Sequence, residues 1–383
     1  MINTVGTNII SSLGFTTNEN YENVKRGISG IKHYDVGTFG LPEAFMASLI
    51  EKERLNDLFY PYCNHVSQSN YTELEKAAIL SVFDANKEAN IDLSSKKTIF
   101  IISTTKGNVK NLETPSKNPM HKVYLWHTAK LITTFFQNTN TPIVVSNACI
   151  SGAAAQITAM RELKNRHFDY AVVIGADFLS KFIISGFQSF KALSSDICRP
   201  FDKERCGLNL GEAVATIIYT NKVHNAKHRI SLSDGAIRND ANHISSPSRT
   251  GEGSFRALNC VLQDINKEEI AFINAHGTAT LYNDAMEAVA IERAGLQLVP
   301  VNSLKGYFGH TLGTASVLES IISMCALQEN TILKSLNYNE QNFENQINIS
   351  TENKRTHKKY FIKMLSGFGG VNATLLFEKI SQL

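Results

Sequence analysis

The segment VVSNACISGAAA occupies residues 144–155, and the segment VPVNSLKGYFGHTLGTAS occupies residues 299–316. Each segment begins with a short β-branched run, passes through an asparagine-containing loop, reaches one reactive side chain and enters a helix rich in small residues. Cys149 holds the reactive position in the first segment, and His310 holds it in the second. The likeness predicts two related α/β halves whose equivalent helices meet around one site.

Buried β-runs alternate with helical patterns along the rest of the chain. The runs lie at residues 99–103, 143–145, 170–175, 214–219, 230–232, 270–275, 299–301, 361–365 and 373–377. This alternation predicts a mostly parallel sheet with helices on its faces. Asp234-Gly235 reads as a turn, and Asn283 or Asp284 reads as the cap of a helix over 283–294.

The most polar connector of the chain, residues 221–229, sets the predicted boundary between the halves. We therefore expect one half over residues 1–222, which carries Cys149, and a second over residues 223–383, which carries the histidines and a glycine-rich loop.

Composition excludes several classes of protein. The chain has 383 residues, of which 43% are hydrophobic and 19% charged, as in folded globular proteins. A net charge of +3 lacks the basic excess of a dedicated nucleic-acid binder. No apolar run is long enough to span a membrane, and the first residues, MINTVGTNIISSLG, lack the basic start of a secretory signal. Six scattered cysteines without a CxxC pair favour the reducing cytoplasm.

Cys149 is the first candidate for chemistry. It follows a β-run and precedes a helix whose first turn contains Ser151 and Gly152. The positive end of the helix dipole stabilises a thiolate at such a position, and small neighbours leave room for a substrate. The alternative interpretation is a buried cysteine that acts as a small hydrophobic residue.

Two histidines follow β-runs of the second half. His276 lies at the C-terminal end of its run, which is the edge of an α/β sheet where ligands bind. His310 stands between Lys305 and Glu319, a pair that could fix the tautomer of its ring. A structural histidine and solvated surface charges are the alternatives.

The glycine-rich loop Gly367-Phe368-Gly369-Gly370 could present backbone N–H groups to a developing oxyanion, although a plain hairpin explains it equally well. Together, one cysteine, two histidines and such a loop are typical of thioester chemistry. Metal ligation by Cys149, His276 and His310 is the competing interpretation. None of the three has a second ligand at zinc-site spacing, so we expect no metal.

Four separated motifs now stand in order along the chain: NACISG, NAHGTATLYNDAME, KGYFGHTLGTA and GFGG. Together they resemble the elongating β-ketoacyl-acyl-carrier-protein synthases of the thiolase superfamily, and CRPFDKERCGLNLGEA is similar to that family's Pro-Phe-Asp to Gly-Glu segment. The resemblance covers the whole chain. It implies a thiolase-like fold, with two related α/β halves in a layered αβαβα arrangement.

The resemblance also implies roles for the residues at the reacting atoms. Cys149 would be the nucleophile that takes an acyl chain from a carrier-protein thioester, and its backbone N–H would form the oxyanion hole with that of Phe368. His276 and His310 would hold the malonyl thioester carbonyl and assist decarboxylation. Phe368 would also gate the acyl pocket.

Supporting roles follow from the same resemblance. Lys305 and Glu319 would organise His310. Thr278 and Thr280 would hydrogen-bond the phosphopantetheine arm of the carrier protein. The motif's acidic residues, Asp284 and Glu287, would be structural.

The implied enzyme is an acyltransferase, a 3-oxoacyl-[acyl-carrier-protein] synthase. It would extend a fatty-acid, polyene or polyketide chain by decarboxylative Claisen condensation of an acyl thioester, held on Cys149, with malonyl-carrier protein. No metal or organic cofactor is implied, because the substrates arrive on phosphopantetheine. The expected partners are an acyl carrier protein, which Arg199, Lys203 and Arg205 could help to dock, and a second ketosynthase-like subunit in a homodimer or heterodimer.

The chain departs from the family pattern at Cys206-Gly207-Leu208 and at Ser366, which favours a specialised pathway such as aryl-polyene or flexirubin-type pigment synthesis. Two alternative functions stay open. One is a non-catalytic partner of the chain-length-factor kind, against which the retained Cys149 argues. The other is a thiolase or acyltransferase that does not decarboxylate.

Overall fold

A computed structural model describes residues 1–62, 71–113, 119–222 and 230–380 of the protein. The predicted boundary at residues 221–229 therefore lies largely outside the described residues. The strands are β1 (Ile2–Ser11), β2 (Lys32–Tyr34), β3 (Phe45–Ser48), β4 (Thr98–Ser103), β5 (Ile143–Val145), β6 (Tyr170–Asp177), β7 (Leu210–Gly211), β8 (Ala213–Thr220), β9 (Ile230–Asn239), β10 (Ile270–Asn274), β11 (Val301–Asn302), β12 (Thr331–Ile332), β13 (Lys354–Arg355), β14 (Tyr360–Gly367) and β15 (Val371–Lys379).

Helices connect most of these strands. They are α1 (Thr17–Lys25), α2 (Lys52–Phe59), α3 (Glu73–Ala89), α4 (Leu125–Phe135), α5 (Ser151–Lys164), α6 (Lys181–Ser189), α7 (Glu252–Val261), α8 (Leu281–Arg293), α9 (Lys305–Phe308) and α10 (Ala315–Gln328). Among the described residues, no helix has the length and apolar character needed to cross a membrane.

Within the described residues, ten strands form one sheet, to which each half of the chain contributes five. Their order is β11-β10-β14-β15-β9-β1-β8-β6-β4-β5. Read outward from the central β1–β9 pair, β8, β6, β4 and β5 of the first half match β15, β14, β10 and β11 of the second. This internal symmetry agrees with the related halves predicted from the sequence.

Alternating side chains divide the core into layers. On β4, Ile99 and Ile101 face the core that contains α5 and α10, whereas Phe100 and Ile102 face the core beneath α3 and α4. The second half repeats this division, with a third core beneath α7 and α8. The layers are therefore α3 and α4, the first-half strands, α5 and α10, the second-half strands, and α7 and α8. This order confirms the predicted αβαβα arrangement.

Three expectations were wrong. The sheet is mixed rather than mostly parallel, because five of the nine strand pairs in its described part are antiparallel, including the pair of β1 and β9 that joins the two halves. Asp234-Gly235 does not turn the chain, because β9 continues to Asn239 and pairs along its length with β15. The helix predicted over residues 283–294 begins at Leu281 with Thr280 as its cap residue, because Asn283 and Asp284 are buried within its first turn and bond elsewhere. None of the predicted β-runs covers β1, which lies beside β9 at the centre of the sheet.

Candidate active site

Cys149 lies in a tight turn between β5 and α5. Ala148, just before it, has a left-handed backbone with φ of 46°. The Ser151 hydroxyl holds the turn by donating to the Ala148 carbonyl at 2.6 Å and accepting from the Asn147 N–H at 2.8 Å. Gly152 then lets α5 approach the second half, since a Cβ there would stand 2.7 Å from the Gly313 carbonyl oxygen.

The environment of the Cys149 thiol corrects one expectation. Burial raises its pKa to about 11, although Lys305 acts in the opposite direction. The helix dipole therefore does not produce a resting thiolate, because removal from water has the larger effect. The backbone N–H of Phe368 hydrogen-bonds the thiol, which brings the glycine-rich loop to the reacting atom.

His276 follows β10 in a turn that two buried carboxylates hold. Glu287 accepts the backbone N–H groups of His276 and Gly277, both at 2.7 Å, and Asp284 accepts those of Thr278 and Ala279. These N–H bonds fix the backbone while the imidazole stays free, since its Nδ1 has no hydrogen-bond partner in the described part of the chain. Asp284 and Glu287 thus hold the backbone of this turn, which agrees with the structural role expected for them.

His310 is held by its own backbone and by one ring nitrogen. Its N–H donates to the Asn209 carbonyl at 2.7 Å, and its carbonyl accepts from Gly211 at 3.0 Å. The Leu312 N–H donates to His310 Nδ1 at 3.1 Å. Because Nδ1 uses its lone pair, the neutral ring carries its proton on Nε2 and can donate it to a ligand.

Cys149, His276 and His310 meet in one place. Each offers an N or S atom, and these atoms lie within 4.8 Å of one another. The two rings stand edge to face, with centroids 5.1 Å apart. Burial, reinforced by Lys305, holds the pKa of each imidazole well below its usual range, so both rings are neutral at physiological pH.

Lys305 and Glu319 form a buried ion pair of 2.8 Å beside the histidines. Sequence reasoning missed the third member, Lys363 on β14, whose Nζ lies 2.6 Å from the other Glu319 oxygen. Burial opposes the ionised form of Glu319, but the two lysines together keep its pKa below the usual value. A lysine inside the apolar run Phe361–Leu365 was the available signal, because a buried charge needs a partner.

Asp177, at the end of β6, is a second missed residue. Its carboxylate accepts from the Thr104 hydroxyl, the Thr105 N–H and the Gly313 N–H at 2.7–3.1 Å. It thereby ties the first half to the loop after His310. Burial raises its pKa to about 6. Its position at the C-terminal end of a buried strand was the signal for it.

A cavity of about 300 Å³ opens onto Cys149 and both histidines. Thr278 and Thr280 line it, with their hydroxyl oxygens 2.9 Å apart. Phe368 packs against two aromatic side chains that also line the cavity, with ring centroids 5.9 Å from Phe187 and 5.2 Å from Phe190. The divergent residues Cys206-Gly207-Leu208 and Ser366 lie on its wall.

The predicted basic docking patch was wrong in one member. Arg205 is buried, donates to Asp202 and Asn342, and packs over the Phe343 ring. Arg199 and Lys203 remain at the surface, where each forms an ion pair with an acidic neighbour.

Comparison with known proteins agrees with this arrangement. The family profile described as "Beta-ketoacyl synthase, N-terminal domain" matches residues 2–223, and that of the C-terminal domain matches residues 231–339. The chain belongs to the β-ketoacyl synthase family. This β-ketoacyl synthase is 30% identical over 258 residues to 3-oxoacyl-[acyl-carrier-protein] synthase 2 of Vibrio harveyi, an alignment that covers 63% of the chain and 62% of that protein.

Solved structures support the fold of this β-ketoacyl synthase. The ishigamide ketosynthase/chain length factor superposes with a TM-score of 0.89 at 23% identity, covering 99% of both chains. A type II polyketide-synthase ketosynthase, solved with its acyl-carrier protein, superposes with a TM-score of 0.82 at 20% identity, again over 99% of both chains. At these identities the structures show a common fold.

Proposed function

We propose that the protein is a β-ketoacyl-[acyl-carrier-protein] synthase that condenses an acyl thioester with a malonyl thioester. The observation that carries the proposal is the meeting of the Cys149 thiol with two neutral imidazoles in one cavity. A buried sulfur nucleophile, N–H donors and space for a thioester are what such a condensation requires.

In the first step Cys149 attacks the acyl thioester carbonyl. The new bond joins Cys149 Sγ to the acyl carbon, the carrier's C–S bond breaks, and the thiol proton passes to the departing carrier sulfur. The N–H groups of Cys149 and Phe368 would stabilise the oxyanion, since the Phe368 N–H already lies at the sulfur.

In the second step the malonyl C–C bond to the carboxylate breaks and CO₂ leaves. The resulting enolate carbon attacks the acyl carbon, which releases the Cys149 thiolate to take up a proton. Neutral His310 donates from Nε2 to the malonyl carbonyl oxygen as negative charge grows there, and His276 assists from the adjoining position. These bonds strengthen in the transition state, so they raise the rate rather than only the affinity.

No organic cofactor enters this scheme, because the thioester itself acidifies the donor carbon. The hydroxyls of Thr278 and Thr280 would bind the phosphopantetheine arm that carries both substrates. The acyl carrier protein is the expected partner. The type II ketosynthase complex described above provides a precedent of the same fold.

A second ketosynthase-like subunit would pair with the edge strand β5. This strand bonds to β4 on one side, and its residues Ile143–Val145 are half-buried rather than covered. Such an edge favours strand addition by another chain. Mass measurement by light scattering, with and without a Val144→Lys substitution, tests this assembly, because a charge at the paired edge should yield monomer.

We propose that the protein acts in a specialised pathway, such as aryl-polyene or flexirubin-type synthesis, and that it works in the cytoplasm. Divergent residues at Cys206-Gly207-Leu208 and Ser366 line the cavity and would alter which acyl chains fit. The reducing cytoplasm would keep the Cys149 thiol free, which supports this compartment.

The decisive experiment is intact-protein mass spectrometry after incubation with a panel of acyl-carrier-protein thioesters, followed by malonyl-carrier protein. We expect a thioester adduct on Cys149 that malonyl-carrier protein discharges as a β-ketoacyl product with CO₂ release. The absence of any adduct on folded protein would instead support a non-catalytic, chain-length-factor-like partner. Discharge without CO₂ release would support a thiolase.

Cys149, His276 and His310 lie close enough together to hold a metal ion, so metal binding is tested as the competing interpretation. Elemental analysis of the purified protein, with and without a chelator, provides that control. Stoichiometric zinc whose removal abolishes acyl loading would contradict the thiol mechanism.

A further inference from the structure

Lys363 is a completely buried lysine that the condensation scheme leaves unused. It stands in the middle of β14, and the backbone register places it opposite Asn274 of β10. Its Nζ donates to the Ala275 carbonyl at 3.2 Å and to the Met364 carbonyl at 3.0 Å. Ala275 immediately precedes His276, so the ammonium group braces the strand end from which one imidazole projects.

The Lys363 ammonium group also contacts the Lys305–Glu319 ion pair that lies beside the histidines. Its contact with Glu319 is an ion pair of 2.6 Å, and Glu319 also holds Lys305 at 2.8 Å. Two lysines thus share the Glu319 carboxylate, and burial raises the pKa of the neighbouring Glu287 to about 7. Below that pH the buried cluster therefore carries an excess positive charge. An isolated buried charge is costly, so its retention beside a reacting centre calls for an explanation.

We propose that Lys363 is a positioning residue for the decarboxylative step, which it serves by bracing the His276 strand end and by supplying the excess positive charge that favours an enolate between the two imidazoles. The inference rests on the proposed function. The acyl-loading step needs neither effect, because no negative charge develops on a malonyl carbon during that step.

The electrostatics of the neighbouring groups agree with this assignment. After burial itself, Lys305 and then Lys363 lower the pKa of His310, and both lysines also act on His276. The cluster therefore keeps the rings neutral, as N–H donation to an enolate requires. Glu287, the other nearby carboxylate, already accepts N–H bonds from His276, Gly277 and Asn283.

A pH signature follows from the same cluster. Glu319 of α10, Lys305 of α9 and Glu287 of α8 act on Lys363, which in turn acts on His276 and His310. Burial lowers the pKa of Lys363 to about 8, despite the opposing influence of Glu319. Ionisation of Glu287, whose pKa burial raises to about 7, and deprotonation of Lys363 near pH 8 both remove the excess positive charge, so condensation should decline on the alkaline side of neutral pH.

The test separates the two chemical steps in single turnover. Acyl loading is followed by intact mass, and condensation by CO₂ release from malonyl-carrier protein, for the wild type, Lys363→Met and Lys363→Arg. Lys379→Met serves as the matched control, because Lys379 on the adjoining β15 also donates to backbone carbonyls but does so at the far end of α10.

We expect Lys363→Met to load acyl chains within about twofold of the wild type and to condense at least about tenfold more slowly, a smaller loss than removal of a direct oxyanion donor causes. Lys363→Arg should keep the rate at pH 7 and show a weaker alkaline decline, because a guanidinium stays charged across this range whereas Glu287 still ionises. Lys379→Met should match the wild type in both steps.

Equal condensation rates in Lys363→Met and the wild type would overturn the inference, and so would an alkaline decline that is equally steep in Lys363→Arg and the wild type. A parallel loss of loading and condensation in both Lys363 variants would assign Lys363 to stability alone. Failure of the wild type to load any acyl chain would contradict the proposed function itself, and that outcome is visible before any Lys363 variant is compared.

Discussion

The two halves bring equivalent strand–helix junctions to one edge of the sheet, yet they give them opposite electrostatic character. At the junction of β5 and α5 stands the Cys149 thiol, whose pKa burial raises, with Lys305 opposing that rise and the buried Asp177 carboxylate adding to it. The junction after β11 presents His310, backed by two lysines on one glutamate. We therefore propose that the two halves divide the chemistry, with the first half providing a neutral nucleophile and the second stabilising a developing anion.

The largest effect that tests this division is removal of the nucleophile. Cys149→Ala should abolish the acyl adduct and lower condensation by at least about 10⁴-fold, as loss of a nucleophile does in other acyl-transfer enzymes. Cys198→Ala is the matched control, because Cys198 is equally buried and burial raises its pKa to about 12. Intact mass after acyl-thioester incubation measures both. A full adduct on Cys149→Ala would assign loading to another residue.

The second half should respond differently to the loss of its reactive side chain. His310→Ala removes an N–H donor aimed at the enolate, so CO₂ release should fall by about 10²–10³-fold while loading of Cys149 changes far less. Single-turnover kinetics measures the two steps separately, with the exposed His357→Ala as a control. Equal losses in both steps would show that the two halves do not divide the chemistry as inferred.

This division could be predicted from sequence only in part. The positions of Cys149 and His310 follow from local patterns, because each ends a β-run and begins a small-residue helix. The partnership of Lys363 with Glu319 joins β14 to α10, and that of Asp177 with Gly313 joins the two halves. Such contacts depend on which strands become neighbours, so no local pattern specifies them.

The same limit explains the errors. Asp234-Gly235 has the composition of a turn, but β15 pairs with β9 through these positions and keeps the strand extended. The dipole of α5 alone favours the Cys149 thiolate, but burial of the thiol beside the glycine-rich loop has the larger effect on its pKa. In both cases the local sequence pattern was read correctly, and a tertiary contact changed the outcome.

The charge cluster of the second half makes a prediction for stability. Glu319→Gln leaves two buried lysines without their carboxylate, so we expect a loss of about 3–5 kcal/mol in the free energy of unfolding. Lys305→Met should cost less, because Glu319 keeps its 2.6 Å ion pair with Lys363. Urea denaturation at pH 7 measures both variants. A larger loss for Lys305→Met would mean that Lys363 does not compensate Glu319 in the folded protein.

The smallest expected effect concerns the buried Asp177 carboxylate of the first half. Because burial raises the pKa of Asp177 to about 6, the folded state binds this proton more tightly than the unfolded chain does between about pH 4 and pH 6. The contribution of Asp177 to stability is therefore greatest at low pH and declines as pH rises through 6. Compared with Asp177→Asn, the wild type should lose about 2 kcal/mol of relative stability between pH 4.5 and pH 7.

Urea denaturation of both proteins at several pH values measures that relative stability. A constant difference across this range would show that hydrogen bonds from Thr104, Thr105 and Gly313 offset the cost of burying the Asp177 carboxylate. The Asp177 carboxylate of the first half would then be as well stabilised as the Lys305–Glu319–Lys363 cluster of the second half. The two halves would differ only in the sign of their buried charge.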